Sequence, residues 1–162
     1  RFFLDQACRS VSLYKANSSF PYKAQAAEKV LIASPFLSFQ KEGRRRYPQA
    51  DTYYFAYDLA SDQSNYDQWN ATNLLSIAQG YDTVIINVFD RHSANIARRL
   101  ERTGCRIIVL STMSPVFVLQ NINFADVILC GYSYSTYSHK ALFAALAGDF
   151  EPVGRVPLDG FQ

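Results

Sequence analysis

The sequence predicts an α/β protein, a three-layer α/β/α sandwich around a mostly parallel sheet of five to six strands. Three observations carry that expectation. Short apolar runs at KVLIA (29–33), TVIINVF (83–89), RIIVL (106–110) and residues 126–130 suit strands buried on both faces. Segments with apolar residues at helical spacing lie between them. Gly80, Gly104 and Gly148 then stand where those helices should stop. Alternation of this kind implies parallel pairing, because parallel strands need a crossover connection.

In chain order, Phe3, Ala7 and Val11 recur every four residues, so residues 2–10 read as the end of a helix leading in. Residues 11–15 form a short strand and 17–22 a Ser/Pro turn. KVLIA follows as a strand ended by Ser34-Pro35. Residues 38–47 make a weak amphipathic helix interrupted by Gly43, and its basic run 41–46 reads as a solvated face. Residues 51–57 alternate aromatics as a strand, and 58–64 is a polar loop above the sheet. Tyr66, Trp69, Asn73 and Ile77 share a helical stripe closed by Gly80. TVIINVF is the central strand. Residues 93–102 form a helix with Ile96, Ala97 and Leu100 inward and arginines outward, stopped by Gly104 before RIIVL. Residues 111–115 turn, 116–120 make a helical turn, and a last strand is expected at 126–130. After it, 132–138 is a hydroxyl-rich turn, with Ser138 capping a helix over 140–147. Pro152, Gly154 and Pro157 carry the chain away.

With 162 residues the sequence is one domain, 1–162, large enough to bury a core. It is 49% hydrophobic and 19% charged, a globular composition rather than a disordered one. A net charge of +2 without a basic stripe argues against nucleic acid. No apolar run approaches the roughly 20 residues of a membrane span. The chain opens at Arg1 with neither Met nor signal peptide, so a fragment is expected and targeting is not legible. Cys8, Cys105 and Cys130 are far apart, and with two histidines they read as buried thiols rather than zinc ligands, so no metal is expected. Asn17-Ser18-Ser19 and Asn70-Ala71-Thr72 fit the glycosylation sequon, a pattern common by chance.

In a parallel sheet, ligands sit beyond the carboxyl ends of the strands. That edge should carry Ser34, Asp58, Asp90-Arg91-His92, Ser111-Thr112 and Tyr132-Ser133-Tyr134. Asp90, Arg91 and His92 combine a carboxylate, a guanidinium and an imidazole at a helix start, suited to an anion or a sugar. The plainer reading is that Asp90 caps the helix while Arg91 and His92 face water. The tyrosine turn could stack on a sugar, or pack beneath a neighbouring domain, which is favoured. His139 has no carboxylate nearby in sequence and reads as structural or exposed. Gly131-Tyr132-Ser133-Tyr134-Ser135 lacks the second Gly of a nucleophile elbow. Neither a dinucleotide fingerprint nor a P-loop occurs, so no cofactor is expected. A phospho-receiver reading leaves Asp58 without acidic partners after KVLIA.

Residues 131–158, GYSYSTYSHKALFAALAGDFEPVGRVPL, carry a resemblance. The hydroxyl-rich turn, helix, Gly exit and Pro152-Val153-Gly154-Arg155-Val156-Pro157 tail resemble the end of the C-terminal α/β domain of glycoside hydrolase family 3. The turn is most like that of the β-N-acetylhexosaminidase branch. Thr103-Gly104-Cys105-Arg106-Ile107-Ile108-Val109 and Ser114-Pro115 follow in family order, and Ser10 to Asn17 resembles the family's opening strand with Ala16 extra. The likeness is weaker over 34–64.

The resemblance implies a flavodoxin-like accessory domain, without a catalytic residue of its own, beside an N-terminal (β/α)8 barrel. In the family the nucleophilic Asp lies on that barrel, as does the hexosaminidase acid/base His, and the barrel's K-H-F-P-G-H-G-like signature is not in this sequence. Beside such a barrel, the strand-end residues Asp58, Asp90, Arg91, His92, Tyr132, Ser133 and Tyr134 are the candidates to face substrate or barrel. The carbohydrate would be met through the parent, which the resemblance puts in the cell envelope or outside the cell. The competing expectation is a free-standing flavodoxin-like module that binds a small ligand or a protein.

Overall fold

The computed structural model describes residues 1–55, 63–112, 122–133 and 135–152. Its strands are β1 (Ser12–Lys15), β2 (Val30–Ala33), β3 (Asp51–Tyr53), β4 (Thr83–Val88), β5 (Arg106–Ser111) and β6 (Val127–Cys130). The helices are α1 (Phe2–Ser10), α2 (Leu37–Arg46), α3 (Gln63–Ala78), α4 (Arg91–Arg98) and α5 (Thr136–Ala147), with a 3-10 turn over Arg99–Thr103. The six strands form one sheet in the order β1-β6-β5-β4-β2-β3. All neighbours pair in parallel except β1, which runs antiparallel to β6. The expected mostly parallel α/β/α sandwich is what forms.

Every residue of β2, β4 and β6 is buried, so alternate side chains feed two cores. Leu31, Ala33, Val84, Ile86 and Val109 pack with Leu74 and Ala78 of α3 and Ala94 and Ala97 of α4. Ile32, Ile85, Ile108, Leu110 and Leu129 pack with Phe39 of α2 and Leu142, Phe143 and Leu146 of α5. Helix α1 lies beside α5 on that second face.

Several local expectations need correction. Gly43 does not interrupt α2, which runs through it. A Cβ there would come 2.5 Å from Ile32 Cδ1 and 2.9 Å from Phe143 Cζ, so the glycine is a close-approach point between helix, sheet and α5. Strand β3 ends at Tyr53, because Phe55 turns into the core and stacks on Phe89. The last helix begins at Thr136, capped by Ser135, whose hydroxyl accepts from the Ser138 N–H at 3.2 Å. Ser138 instead donates back to the Gly131 carbonyl. On α3 the stripe containing Trp69 and Ile77 is exposed, and Asn70, Leu74 and Ala78 form the buried line. The basic run of α2 is solvated at Arg44, Arg45 and Arg46. Gly104 and Gly148 both take the left-handed conformation that stops their helices. The helical turn expected at 116–120 and the tail from 153 on lie outside the described residues.

Candidate functional site

The carboxyl ends of β2, β4 and β5 are joined by a buried polar link. Ser34 follows β2 and donates from Oγ to Asn87 Oδ1 at 3.2 Å. Asn87 Nδ2 donates to the Leu110 carbonyl and to Thr112 Oγ1, each at 3.1 Å. Gln40 of α2 closes over Ser34, donating to its carbonyl at 2.8 Å. Three strands are thereby pinned at the same height. Ser34, Ser111 and Thr112, expected at the binding edge, are buried and act inside the fold. Asn87 escaped sequence reasoning, although one polar residue near the carboxyl end of TVIINVF was the signal.

Above that link, Asp90 starts α4 with a reciprocal capping box. Its Oδ1 accepts from the Ser93 N–H at 2.8 Å, and Ser93 Oγ accepts from the Asp90 N–H at 3.0 Å. The capping role weighed for Asp90 is therefore real. Its other oxygen, Oδ2, is buried and meets no hydrogen-bond partner among the described residues. Such an atom retains an unused acceptor next to a helix N-terminus. Arg91 is exposed and His92 half-buried beside it.

Tyr132 and Ser133 leave β6 at the same edge. Tyr132 has φ +57°, a left-handed backbone that costs a residue with a Cβ roughly 1–2 kcal/mol. Its hydroxyl donates to Ser12 Oγ at 3.2 Å, which ties the turn to β1. Burial pushes its phenol above the ordinary range. Ser133 is exposed and its hydroxyl accepts from the Ser135 N–H. Asp58 and Tyr134 lie outside the described residues. The fold thus gathers Asp90, Arg91 and His92 into one cluster at the end of β4, and sets Tyr132 and Ser133 at the end of β6, with β5 between them.

His139 is structural, as weighed, and fully buried. Its Nδ1 stands 2.7 Å from Ser38 Oγ, among the rings of Phe36 and Phe39. Burial drives its pKa down to about 4, so the imidazole is neutral near pH 7. Nε2 has no partner among the described residues, so no carboxylate orients the ring as a catalytic triad requires.

The opposite, amino edge of the sheet holds a cleft of about 380 Å³ lined by Lys23, Gln25, Ala27, Glu28, Asp82 and Arg106. Glu28 Oε1 accepts from Arg106 Nη1 at 2.8 Å and Thr83 Oγ1 at 2.7 Å. Burial would raise this carboxyl, but the Thr83 hydrogen bond, the Gln25 N–H and the Arg106 charge hold it below its ordinary value. Sequence reading did not single these residues out, since the pair is separated by 78 positions. Among the described residues no group of three His, Cys, Asp or Glu side chains could hold a metal, and no helix is long and apolar enough to cross a membrane.

No family model and no curated protein matches the chain. Solved structures do. One is a fungal multi-domain β-N-acetylglucosaminidase of glycoside hydrolase family 3 with a GCN5-related glucosamine N-acetyltransferase region. The TM-score is 0.75 at 18% identity, over 95% of this chain and 18% of that one. The family 3 β-N-acetylglucosaminidase of Paenibacillus sp. FPU-7 gives 0.75 at 12% identity, over 95% and 31%. The fold is one that family 3 glycoside hydrolases carry. A β-glucosidase involved in saponin metabolism from intestinal bacteria gives 0.69 at 12% identity, over 95% and 32%. The chain therefore spans less than a third of the length of these solved chains. In fold, the resemblance to the family 3 α/β domain is borne out.

Proposed function

We propose that this chain is the C-terminal α/β accessory domain of a family 3 glycoside hydrolase whose parent hydrolyses terminal β-N-acetylglucosaminides. The domain packs on the parent's (β/α)8 barrel, and its strand-end loops wall one side of the sugar site. One observation carries the reading. The fold match takes in 95% of this chain but only 18% and 31% of two family 3 β-N-acetylglucosaminidases. The Pro152 to Pro157 tail and the hydroxyl-rich turn support the same assignment.

The chemistry at the carboxyl edge is that of holding rather than cutting. Arg91 and His92 can donate, and Tyr132 offers a ring face. Glycoside hydrolysis needs two carboxyl groups or their equivalents about 5–9.5 Å apart across the scissile bond. That pair belongs to the barrel.

The isolated chain should show no turnover of an aryl N-acetylglucosaminide, and robust hydrolysis would overturn the assignment. The gene upstream of Arg1 should encode a barrel of about 250 residues or more. A start codon directly before Arg1 would favour the free-standing module instead.

A further inference from the structure

We infer that the cleft at the amino edge of the sheet is a binding site for a small zwitterion, a free α-amino acid, whose carboxylate meets Arg106 and Lys23 and whose ammonium meets Asp82. This end of the sheet lies opposite the edge assigned to the sugar, and the site does not depend on the accessory-domain reading. None of the three residues was a site candidate in the sequence.

The charges around the cleft divide into those the domain satisfies itself and those it leaves open. Glu28 is satisfied: Oε1 accepts from Arg106 Nη1 at 2.8 Å and from Thr83 Oγ1 at 2.7 Å, and Oε2 accepts from the Gln25 N–H at 3.1 Å. Arg106 is satisfied only in part, since Nε and Nη2 meet no acceptor among the described residues. Its guanidinium is nevertheless held in place, with Cζ 5.5 Å from the centroid of the Tyr22 ring it covers. A fork fixed in this way can take a carboxylate through two parallel hydrogen bonds. Lys23 donates to the Ala147 carbonyl but has no ion pair among the described residues, so its charge is not neutralised. Asp82 is exposed and, among the described residues, its side chain accepts only from the Lys29 N–H, through Oδ2. The two signs lie side by side, because the Arg106 N–H donates to the Asp82 carbonyl at 2.9 Å where β4 and β5 begin.

That pattern selects the ligand. The lining carries Lys23 and Arg106 against Glu28 and Asp82, so the signs balance. A plain anion would gain the two cations but face both carboxylates. A metal ion would find no group of three His, Cys, Asp or Glu side chains among the described residues. An apolar ligand would meet a lining in which Ala27 alone is non-polar. A sugar would lack a ring to stack on, since Tyr22 is 1% exposed beneath Arg106. A molecule with a carboxylate and an ammonium on one carbon uses Arg106, Lys23 and Asp82 together. At about 380 Å³ the cleft is near the small end of ligand-binding cavities, which suits one amino acid rather than a long peptide.

The test is isothermal titration calorimetry on the full-length protein with each standard L-amino acid at millimolar concentration. The tightest binder is then compared with its N-acetyl form, which lacks the ammonium, with its carboxamide, which lacks the carboxylate, and with inorganic phosphate. The free amino acid should bind, and each of the other three should bind about tenfold more weakly. Asp82→Asn removes the charge but keeps an acceptor for the Lys29 N–H, and Lys23→Met removes the cation. Each should weaken binding about tenfold, whereas Arg44→Met, at an exposed position on α2, should leave it unaltered. Unfolding midpoints check that the variants are folded, and the comparison of ligands on the wild-type protein stands without them. Absence of binding by every amino acid would overturn the inference. Equal binding of the N-acetyl form or of phosphate would make the cleft a plain anion site and overturn it as well. Undiminished binding in both folded variants would place the amino acid elsewhere in the protein, with the same result.

Discussion

His139 is the side chain whose acid–base behaviour the fold changes most plainly. Buried between Phe36 and Phe39, it holds its pKa at about 4, against an ordinary 6.5, because burial penalises the charged ring. The unfolded chain therefore takes up the proton first. The stabilisation is complete above pH 6.5 and is lost as pH falls from 6.5 towards 4, by up to about 3 kcal/mol. Urea midpoints measured from pH 7.5 to 4.5 should fall through that window, and the fall should be largely abolished in His139→Phe. A wild-type midpoint that stays flat would contradict the burial of a neutral ring. Asn87 and Asp90 show the same dependence on placement. The sequence marks both as polar residues near a strand end, but one is sealed into a link between strands and the other keeps a free carboxylate oxygen. The buried Asn70, within a glycosylation sequon, shows why such a pattern alone does not make a modified site.

Among the elements, α2 shows how packing overrides propensity. A glycine inside a helix costs about 1 kcal/mol relative to Ala, which is why Gly43 reads as an interruption. The helix continues because the missing Cβ lets it approach Ile32 and Phe143 closely. Gly43→Ala should therefore destabilise, by about 1–2 kcal/mol, since overpacking at 2.5 Å outweighs the gain in propensity. A lowered urea midpoint with an unchanged slope would show it, and a stabilised variant would refute the close approach. Where caps and stops are local, as with Asp90, Gly104 and Gly148, element ends were legible. The start of α5 was misplaced because Ser135 and Ser138 are equally good caps in sequence. Only the pull of the Gly131 carbonyl on Ser138 separates them.

At the scale of the whole molecule, Glu28 draws together the segment before β2, the start of β4 through Thr83 and the start of β5 through Arg106. Its carboxyl is held below the ordinary value, so its contribution is present above about pH 4.5 and is lost as pH falls through the lower, folded-state value. Glu28→Gln should lower stability at pH 7 by roughly 1–3 kcal/mol and weaken the pH dependence below 4.5, while leaving the His139 window intact. Thermal unfolding across pH 3–7 separates the two steps. If the variant matched wild type at every pH, Glu28 would not tie the amino edge. That charged cluster lies at the amino edge, opposite the carboxyl edge that carries Asp90, Arg91 and Tyr132.

By itself the sequence determined the α/β alternation, the buried strands, the glycine stops and the family likeness. These depend on local periodicity, on backbone freedom and on motifs that are contiguous in the chain. The tertiary structure alone decided the antiparallel place of β1 and which face of α3 is buried. It also decided the link through Asn87, the Glu28–Arg106 pair and the cleft that this pair lines. Each of these depends on residues brought together from distant positions, and a side chain's burial is a property of its neighbours rather than of its own chemistry.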